Sequence, residues 1–443
     1  MQINHVPKIL GIIAEYNPFH SGHHYQINKA KTICAADYVV VIMSGHFTQR
    51  GEAAIYDPYL RTEMALKAGV DAVDEMPAAF STASAADFAF YAVKFLTLLN
   101  VDYISFGVED AALDELESLA GALLNESSSF KNLLKEKLSA GYSYPLARKE
   151  ALINELVNIK HFDTERIKNL LSTPNNILGL EYVYTIKKIS SHLKPVLIKR
   201  KGSSYHDKDI DYSKNHSSAT AIRKYLSTHS ELKALESSLM PSSIEIIKKG
   251  KPLFADDFRG SISRKLYDLY YNNIDLSVYS DISPSLSDRI YKLNKNYSDY
   301  EEMVASIKSK DYTFTRISRA LSHILLNIKK SDMDMYKDNI KYAKLLGFRR
   351  SSGSLLKLIK ERSKLINITK PANAFDILKE ERFAYQLFMS EVYASYIYNS
   401  IYYDKEHDSY YIVATNSDGA GAYMVCWQIE KGIYKGRKIG IPF

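Results

Sequence analysis

Tyr16-Asn17-Pro18-Phe19-His20-Ser21-Gly22-His23 is the stretch that decides how the chain folds. An apolar run, Ile9 to Ala14, precedes it and reads as a buried strand; an amphipathic segment, His24 to Ala35, follows and reads as a helix. Asn17-Pro18 is a turn signal between the two. His20 and His23, with Gly22 between them, therefore fall where a strand hands over to a helix N-terminus. The free N–H groups and positive dipole end of such a terminus favour phosphate. Gly22 lets a ligand approach the backbone. Imidazoles placed there can hold phosphate oxygens or neutralise charge that develops during phosphoryl or nucleotidyl transfer. H-x-G-H also arises by chance, so a second element has to support the reading.

Outward from this stretch, strand and helix patterns alternate to about residue 110. Strands are expected at Ile9–Ala14, Tyr38–Met43, Ala72–Met76 and Tyr103–Phe106, and helices at His24–Ala35, Pro58–Ala68 and Ala85–Leu99. This alternation predicts an α/β fold, a parallel sheet with helices on both faces. Ligands in such sheets sit at the carboxyl ends of strands, and the motif loops all follow strands. Val196–Ile198 reads as a fifth strand, ending in Lys199-Arg200, and Arg200 is a candidate phosphate contact. Residues 110–190 and 226–400 read as mainly helical. Tyr410–Ala414 and Tyr423–Ile429 look like strands.

The supporting element is Ser217-Ser218-Ala219-Thr220-Ala221-Ile222-Arg223-Lys224. Hydroxyl side chains and N–H groups at a helix start can take the outer phosphates of a nucleoside triphosphate. Arg223 or Lys224 can clamp a leaving pyrophosphate. The plain alternative is an N-capped surface helix.

Other candidates have equally plain alternatives. Gln49 and Arg50, in the loop after the second strand, are assigned to the acceptor side, since an arginine can grip a carboxylate with two prongs. Asp74-Glu75 suggests an acid/base pair, but neighbours on a strand face opposite ways, and a strand end at the sheet's edge is expected. Pro174-Asn175-Asn176 reads as a turn and cap before the helix Ile177–Ile189. Tyr205-His206-Asp207 and the polar run to His216 form a loop able to close over a ligand. His20, His23 and His24 lack neighbouring ligands at zinc spacing, so no protein-bound metal is expected; Mg2+ can still enter with ATP phosphates.

Composition is ordinary for a globular protein. The two cysteines, Cys34 and Cys426, cannot build a disulfide framework or a four-ligand zinc site. Met1 to Pro7 is polar and the apolar run after it is short, so neither a signal peptide nor a membrane span is expected, and a reducing, cytoplasmic setting is. Charge is more telling. Residues 1–225 balance at 25 basic and 25 acidic side chains, so the net +7 lies wholly in 226–443. Lys341 to Lys370, expected to be helical with breaks at Gly347 and Gly353, holds nine basic residues against Glu361 alone. Lys344, Arg349, Arg350, Lys357 and Lys360 are therefore expected to meet an RNA backbone.

H-x-G-H followed much later by S-x-T-x-I-R resembles the nucleotidyltransferase superfamily. The likeness sharpens over Glu15 to His23, Met43 to Glu52, Phe106-Gly107, Pro174 to Gly179 and Ser218 to Lys224. These segments, in this order, resemble the bacterial tRNA(Met) cytidine acetate ligases. The likeness is dense to Lys224, thins, and resumes at Ala343 to Arg350. It implies a Rossmann-like catalytic domain over 1–226 and a mainly helical, tRNA-binding domain over 227–443. It implies catalytic roles for His20 and His23. It implies ATP contacts for Ile13, Glu15, Tyr16, Asn17, Pro18, Phe19, Gly22, Gly107, Asn175, Arg200, Ser218, Thr220 and Arg223. The implied reaction activates acetate as acetyl-adenylate and acetylates the wobble cytidine of elongator tRNA(Met). The residues alone leave other classes open: an adenylyltransferase of a small phosphorylated precursor, a non-catalytic RNA-binding protein, or a ligase like the aminoacyl-tRNA synthetases.

Overall fold

The computed structural model describes residues 5–142, 144–160, 163–200, 217–229, 231–293, 297–404, 409–417, 422–430 and 433–440, with backbone alone at 145, 158–160 and beyond 400. The expected loop from Tyr205 to His216 lies outside these residues.

A seven-stranded sheet forms the centre. Its strands are β1 (Ile9–Ala14), β2 (Tyr38–Ser44), β3 (Ala72–Met76), β4 (Tyr103–Val108), β5 (Lys194–Lys199), β6 (Tyr342–Phe348) and β7 (Ile366–Ile368). The spatial order is β5-β4-β1-β2-β3-β6-β7, and β1 to β5 run parallel. Ile12 pairs with Val41 on one side and Ser105 on the other. The chain leaves β1 toward β2 and β3, then returns to the opposite side for β4. The carboxyl ends of β1 and β4 therefore flank the switch point where ligands bind in such sheets.

Alternation along the strands divides the core. Ile9, Val40 and Ile42 face one apolar cluster, shared with the helix Ala85–Leu99. Leu10, Ile12, Val39, Val41 and Met43 face the other, shared with Ser21–Cys34 and Pro58–Lys67. Strands buried on both faces must be apolar throughout, which is why their runs were legible. Cys34 is buried in the second cluster, as an apolar filler would be.

Three expectations change. The sheet does not end with the first 226 residues, because β6 pairs antiparallel with β3 and β7 parallel with β6. The segment 341–370 is thus strand, helix (Gly353–Arg362) and strand rather than broken helix. Its charge masked the strand: Lys344 sits inside it because Glu75 lies opposite, on β3. For the same reason Asp74-Glu75 is interior, and β6 covers the edge that β3 would otherwise expose. The serine- and proline-bearing stretch Ser237–Ser243, by composition a linker or a turn, begins as a turn and is packed inside: Ser238 and Ser243 are fully buried.

Most of 226–400 is helical. Beyond it, β8 (Ile401–Asp404), β9 (Ser409–Ser417), β10 (Ala422–Glu430) and β11 (Ile433–Gly440) form an antiparallel sheet in the order β11-β10-β9-β8. No helix among the described residues is long and apolar enough to cross a membrane.

Candidate functional site

A cleft of about 560 Å³ opens at the carboxyl ends of the parallel strands. Ile13, Glu15, Tyr16, Asn17, His20, Gly22 and His23 line it from the loop after β1. His20 is the N-cap of the helix Ser21–Cys34: its Nδ1 accepts the Gly22 N–H at 3.1 Å, and the His20 N–H donates to His23 Nδ1 at 3.2 Å. Both Nδ1 atoms are acceptors, so each neutral ring carries its proton on Nε2. The rings stack at 3.7 Å, and a Cβ on Gly22 would come within 2.9 Å of His20 Cε1. The glycine is therefore needed for the imidazole stack itself. Burial, His20 and Arg200 hold the His23 imidazole well below its ordinary pKa of 6.5. A neutral Nε2–H donor can meet a phosphate oxygen without first losing its charge to solvent.

The late motif closes the other wall. Ser217, Ser218, Thr220 and Arg223 line the same cleft. Ser218 caps the helix Ala219–Thr228 by accepting the Ala221 N–H at 3.1 Å. Arg223 Nη1 donates to the Asn17 carbonyl at 2.9 Å and Nη2 to Thr220 Oγ1 at 3.2 Å. Ser238, in a stretch that composition marks only as linker or turn, is a second tie between the motifs. Its carbonyl accepts the Ser21 N–H at 2.9 Å, and its hydroxyl donates to Ser217 Oγ at 2.8 Å. Two helix N-termini thus converge on one cleft, with hydroxyls and cations between them, an arrangement suited to a polyphosphate.

Gln49, Arg50, Ala85, Phe88 and Thr315 enter the cleft from the β2–β3 side. The loop carrying Gln49 and Arg50 is held by buried groups. Gln49 N–H donates to Glu15 Oε1 at 2.8 Å. The fully buried Arg61 donates to the carbonyls of Glu15 (2.6 Å), Ser44 (3.0 Å), Tyr56 (2.9 Å) and Gly45, tying the ends of β1 and β2 together. Arg61 carried no signal in the sequence beyond being an arginine in an amphipathic helix. The helix Phe314–Leu325 grips the same loop, since Ser318 and Ser322 hydroxyls donate to Gly51 O at 2.9 and 2.6 Å. A Cβ at Gly51 would meet Arg319 N at 2.3 Å, and its φ of +73° also demands glycine.

Gly107, Asn175, Lys199 and Arg200 approach from the β4–β5 side. Asn175 Nδ2 donates to Glu109 Oε1 at 2.6 Å, and Asn176, buried, bonds to Glu109 and Asp110. Asn17 lines the cleft but gives its side-chain oxygen to Ile55 N–H at 2.9 Å, a scaffold bond. Pro18 and Phe19 do not line the cleft. Phe19 is fully buried and packs 4.8 Å from Tyr16 and 5.6 Å from His23, so it supports the histidines from below instead of touching a ligand.

The basic run is not one surface. Lys344 is buried and paired with Glu75, so it cannot meet RNA. Arg349 pairs with Asp71 at 2.5 Å, and Arg362 donates to Pro7 O at 3.1 Å. Asp71 and Pro7 precede β3 and β1, at the end of the sheet opposite the cleft. Arg350, Lys357 and Lys360 are exposed.

Sequence reasoning also missed a buried cluster beside the loop after β2. His46 Nδ1 lies 3.7 Å from Glu391 Oε1, and Glu391 Oε2 accepts the Ala78 N–H at 2.5 Å. Glu75 pairs with Lys344 through Oε2. His46, Glu75 and Glu391 bring ligand-type atoms within 4.8 Å of one another. A divalent cation would leave this buried group net positive. One proton shared by the two carboxyls, with the Lys344 ammonium, leaves it neutral, which burial favours. Burial accordingly raises Glu391 and pushes Glu75 up to about 7, against the pull of Lys344, and drives His46 down to about 4.

A family model described as HIGH Nucleotidyl Transferase matches residues 7–409. The chain is 39% identical over 400 residues to the tRNA(Met) cytidine acetate ligase of Thermoanaerobacter sp. (strain X514), covering 89% of this chain and 95% of that one. It is 38% identical over 374 residues to the ligase of the same name from Acetivibrio thermocellus, covering 82% and 88%. The crystal structure of apo Thermotoga maritima TmcAL superposes with a TM-score of 0.82 at 29% identity, covering 88% of this chain and 94% of that one. TmcAL bound with alpha-thio ATP gives 0.79 at 30%, covering 88% and 92%.

Proposed function

The chain belongs to the HIGH nucleotidyl transferase family, and from that premise we propose that it is an ATP-dependent ligase that acetylates a cytidine of tRNA(Met). The observation that carries this reading is the bond from Arg223 to Asn17, which joins the early and late motifs around one cleft. The similarity to an acetate ligase with an ATP analogue bound supports the nucleotide.

The chemistry follows from the residues. ATP lies with its α-phosphate near the Nε2–H donors of His20 and His23, and its outer phosphates against Ser218, Thr220 and Arg223. A carboxylate oxygen of acetate attacks the α-phosphorus, the bond to the bridging oxygen breaks, and pyrophosphate leaves. The two histidines donate to the oxygens that gain charge; Arg223 does the same for the leaving group. The exocyclic amine of the cytidine then attacks the acetyl carbonyl carbon, loses a proton, and releases AMP. Positioning and charge stabilisation suffice, and no side-chain nucleophile is required. A Mg2+ arriving with ATP would meet Ser218, Thr220 and Arg223 at the phosphate end, with no carboxylate among them to hold it, and would supply charge neutralisation to the phosphates.

The test is labelled acetate, ATP and total tRNA with the pure protein. Label in tRNA, dependent on ATP, is the expected result. Pyrophosphate release only with a small phosphorylated acceptor would replace this reading with a cofactor adenylyltransferase, and RNA binding without turnover would make it a binding protein.

A further inference from the structure

We propose that Gln49 reads the exocyclic amine of the acceptor base, with Phe88 and Thr315 forming the rest of its subsite; this rests on the function proposed above. Gln49 is fixed twice. Its N–H is held by Glu15 Oε1 at 2.8 Å and its side-chain amide nitrogen by Ala83 O at 3.3 Å. A carbonyl oxygen can only accept, so the NH2 group must face Ala83. That orientation leaves Oε1 able to accept from a ligand in the cleft that Gln49 lines. Oε1 can only accept. It matches the N4 amine of cytosine, a donor, and opposes O4 of uracil, an acceptor.

The surroundings suit a flat base at the same place. Phe88 gives an apolar wall from the helix Ala85–Leu99. Thr315 supplies a hydroxyl from the helix Phe314–Leu325, and among the described residues no other beyond 226 lines the cleft. That helix is locked to the Gln49 loop through Gly51, so the hydroxyl and the amide keep one spacing. The subsite lies on the β2–β3 side of β1, and Gly107 and Arg200 enter from the β4–β5 side. A base can therefore approach the acyl-phosphate end without displacing the nucleotide.

The experiment uses the full-length enzyme and two tRNA(Met) transcripts that differ only in C or U at the wobble position. Binding of each transcript is measured together with acetyl transfer to the C transcript and tRNA-independent, acetate-dependent ATP–pyrophosphate exchange. Wild type is expected to bind the C transcript at least tenfold tighter than the U transcript. Gln49→Met, similar in size but without the acceptor, should abolish that preference and lose at least tenfold more transfer than exchange. Gln49→Glu keeps an acceptor and should keep the preference. A preference that survives in Gln49→Met, or equal loss of transfer and exchange, overturns the assignment. If wild type moves no acetate to either transcript, the parent function fails first and the two failures are told apart.

Discussion

Arg223 Nη1 donates to the carbonyl oxygen of Asn17 at 2.9 Å across 206 positions of chain. The same guanidinium reaches Thr220 Oγ1 at 3.2 Å, so one side chain braces both motifs and faces the cleft between them. Arg223→Ala is expected to lower kcat/KM for ATP by about 10²–10³, the scale set by loss of one charge-stabilising donor. Arg223→Lys keeps the charge but not the planar fork, and should recover only part of it. Steady-state kinetics at varied ATP measures both; a lysine variant equal to wild type would contradict the two-pronged role.

His23→Ala is expected to cost at least about 2.7 kcal/mol of transition-state stabilisation. The wild-type ring is held well below 6.5 by burial, His20 and Arg200, so in the free enzyme it stays neutral from about pH 6 to 8. The sign is that of a depressed base: an unfolded chain takes the proton first as pH falls, so the ring's contribution to stability is present above its ordinary value and wanes below it. The pH profile of kcat/KM for ATP should show no inflection from His23 in that range. An inflection that disappears in His23→Ala would contradict a neutral donor.

Gly22→Ala places a methyl within 2.9 Å of His20 Cε1 and 3.0 Å of its Nδ1. The ring must turn away and surrender the Gly22 N–H. The helix itself tolerates alanine well. Thermal stability should hardly change while kcat falls at least tenfold. Matched losses in melting temperature and kcat would show that the glycine serves folding alone.

Glu75 has its pKa pushed up to about 7 from an ordinary 4.5, mainly by burial. Between those values the folded chain keeps a proton that the unfolded chain has released. Its contribution is full below the lower value and is lost as pH rises through the upper one. Wild-type melting temperature should therefore fall as pH rises from about 4.5 through about 7, and Glu75→Gln, which mimics the protonated form, should fall less. Parallel slopes in calorimetry would place the proton elsewhere.

The parts of the fold legible in the sequence were those set by local pattern. β1 matched its apolar run because a strand buried on both faces leaves no polar gap, and β3 matched in bounds although Asp74 and Glu75 lie inside it. The His20–His23 and Ser218–Lys224 segments were legible as helix starts because such starts need caps and small residues. What could not be read depends on partners distant in sequence. Lys344 looked like an RNA-backbone contact until Glu75 stood across from it. Ser238 looked like part of a linker or turn because its value lies in the Ser21 N–H and Ser217 hydroxyl it joins. Arg61 gave no hint of four carbonyls. Local chemistry shows which groups are present, but only tertiary pairing shows which of them are engaged inside.

The pairing of β6 with β3 has one more consequence. A fragment stopped after residue 226 would bare the backbone edge of β3 and strip Glu75 of its counter-ion, Lys344, in a single cut. Such a fragment would be sticky and short of a charge at its heart, so residues 1–226 are not expected to stand as a unit on their own.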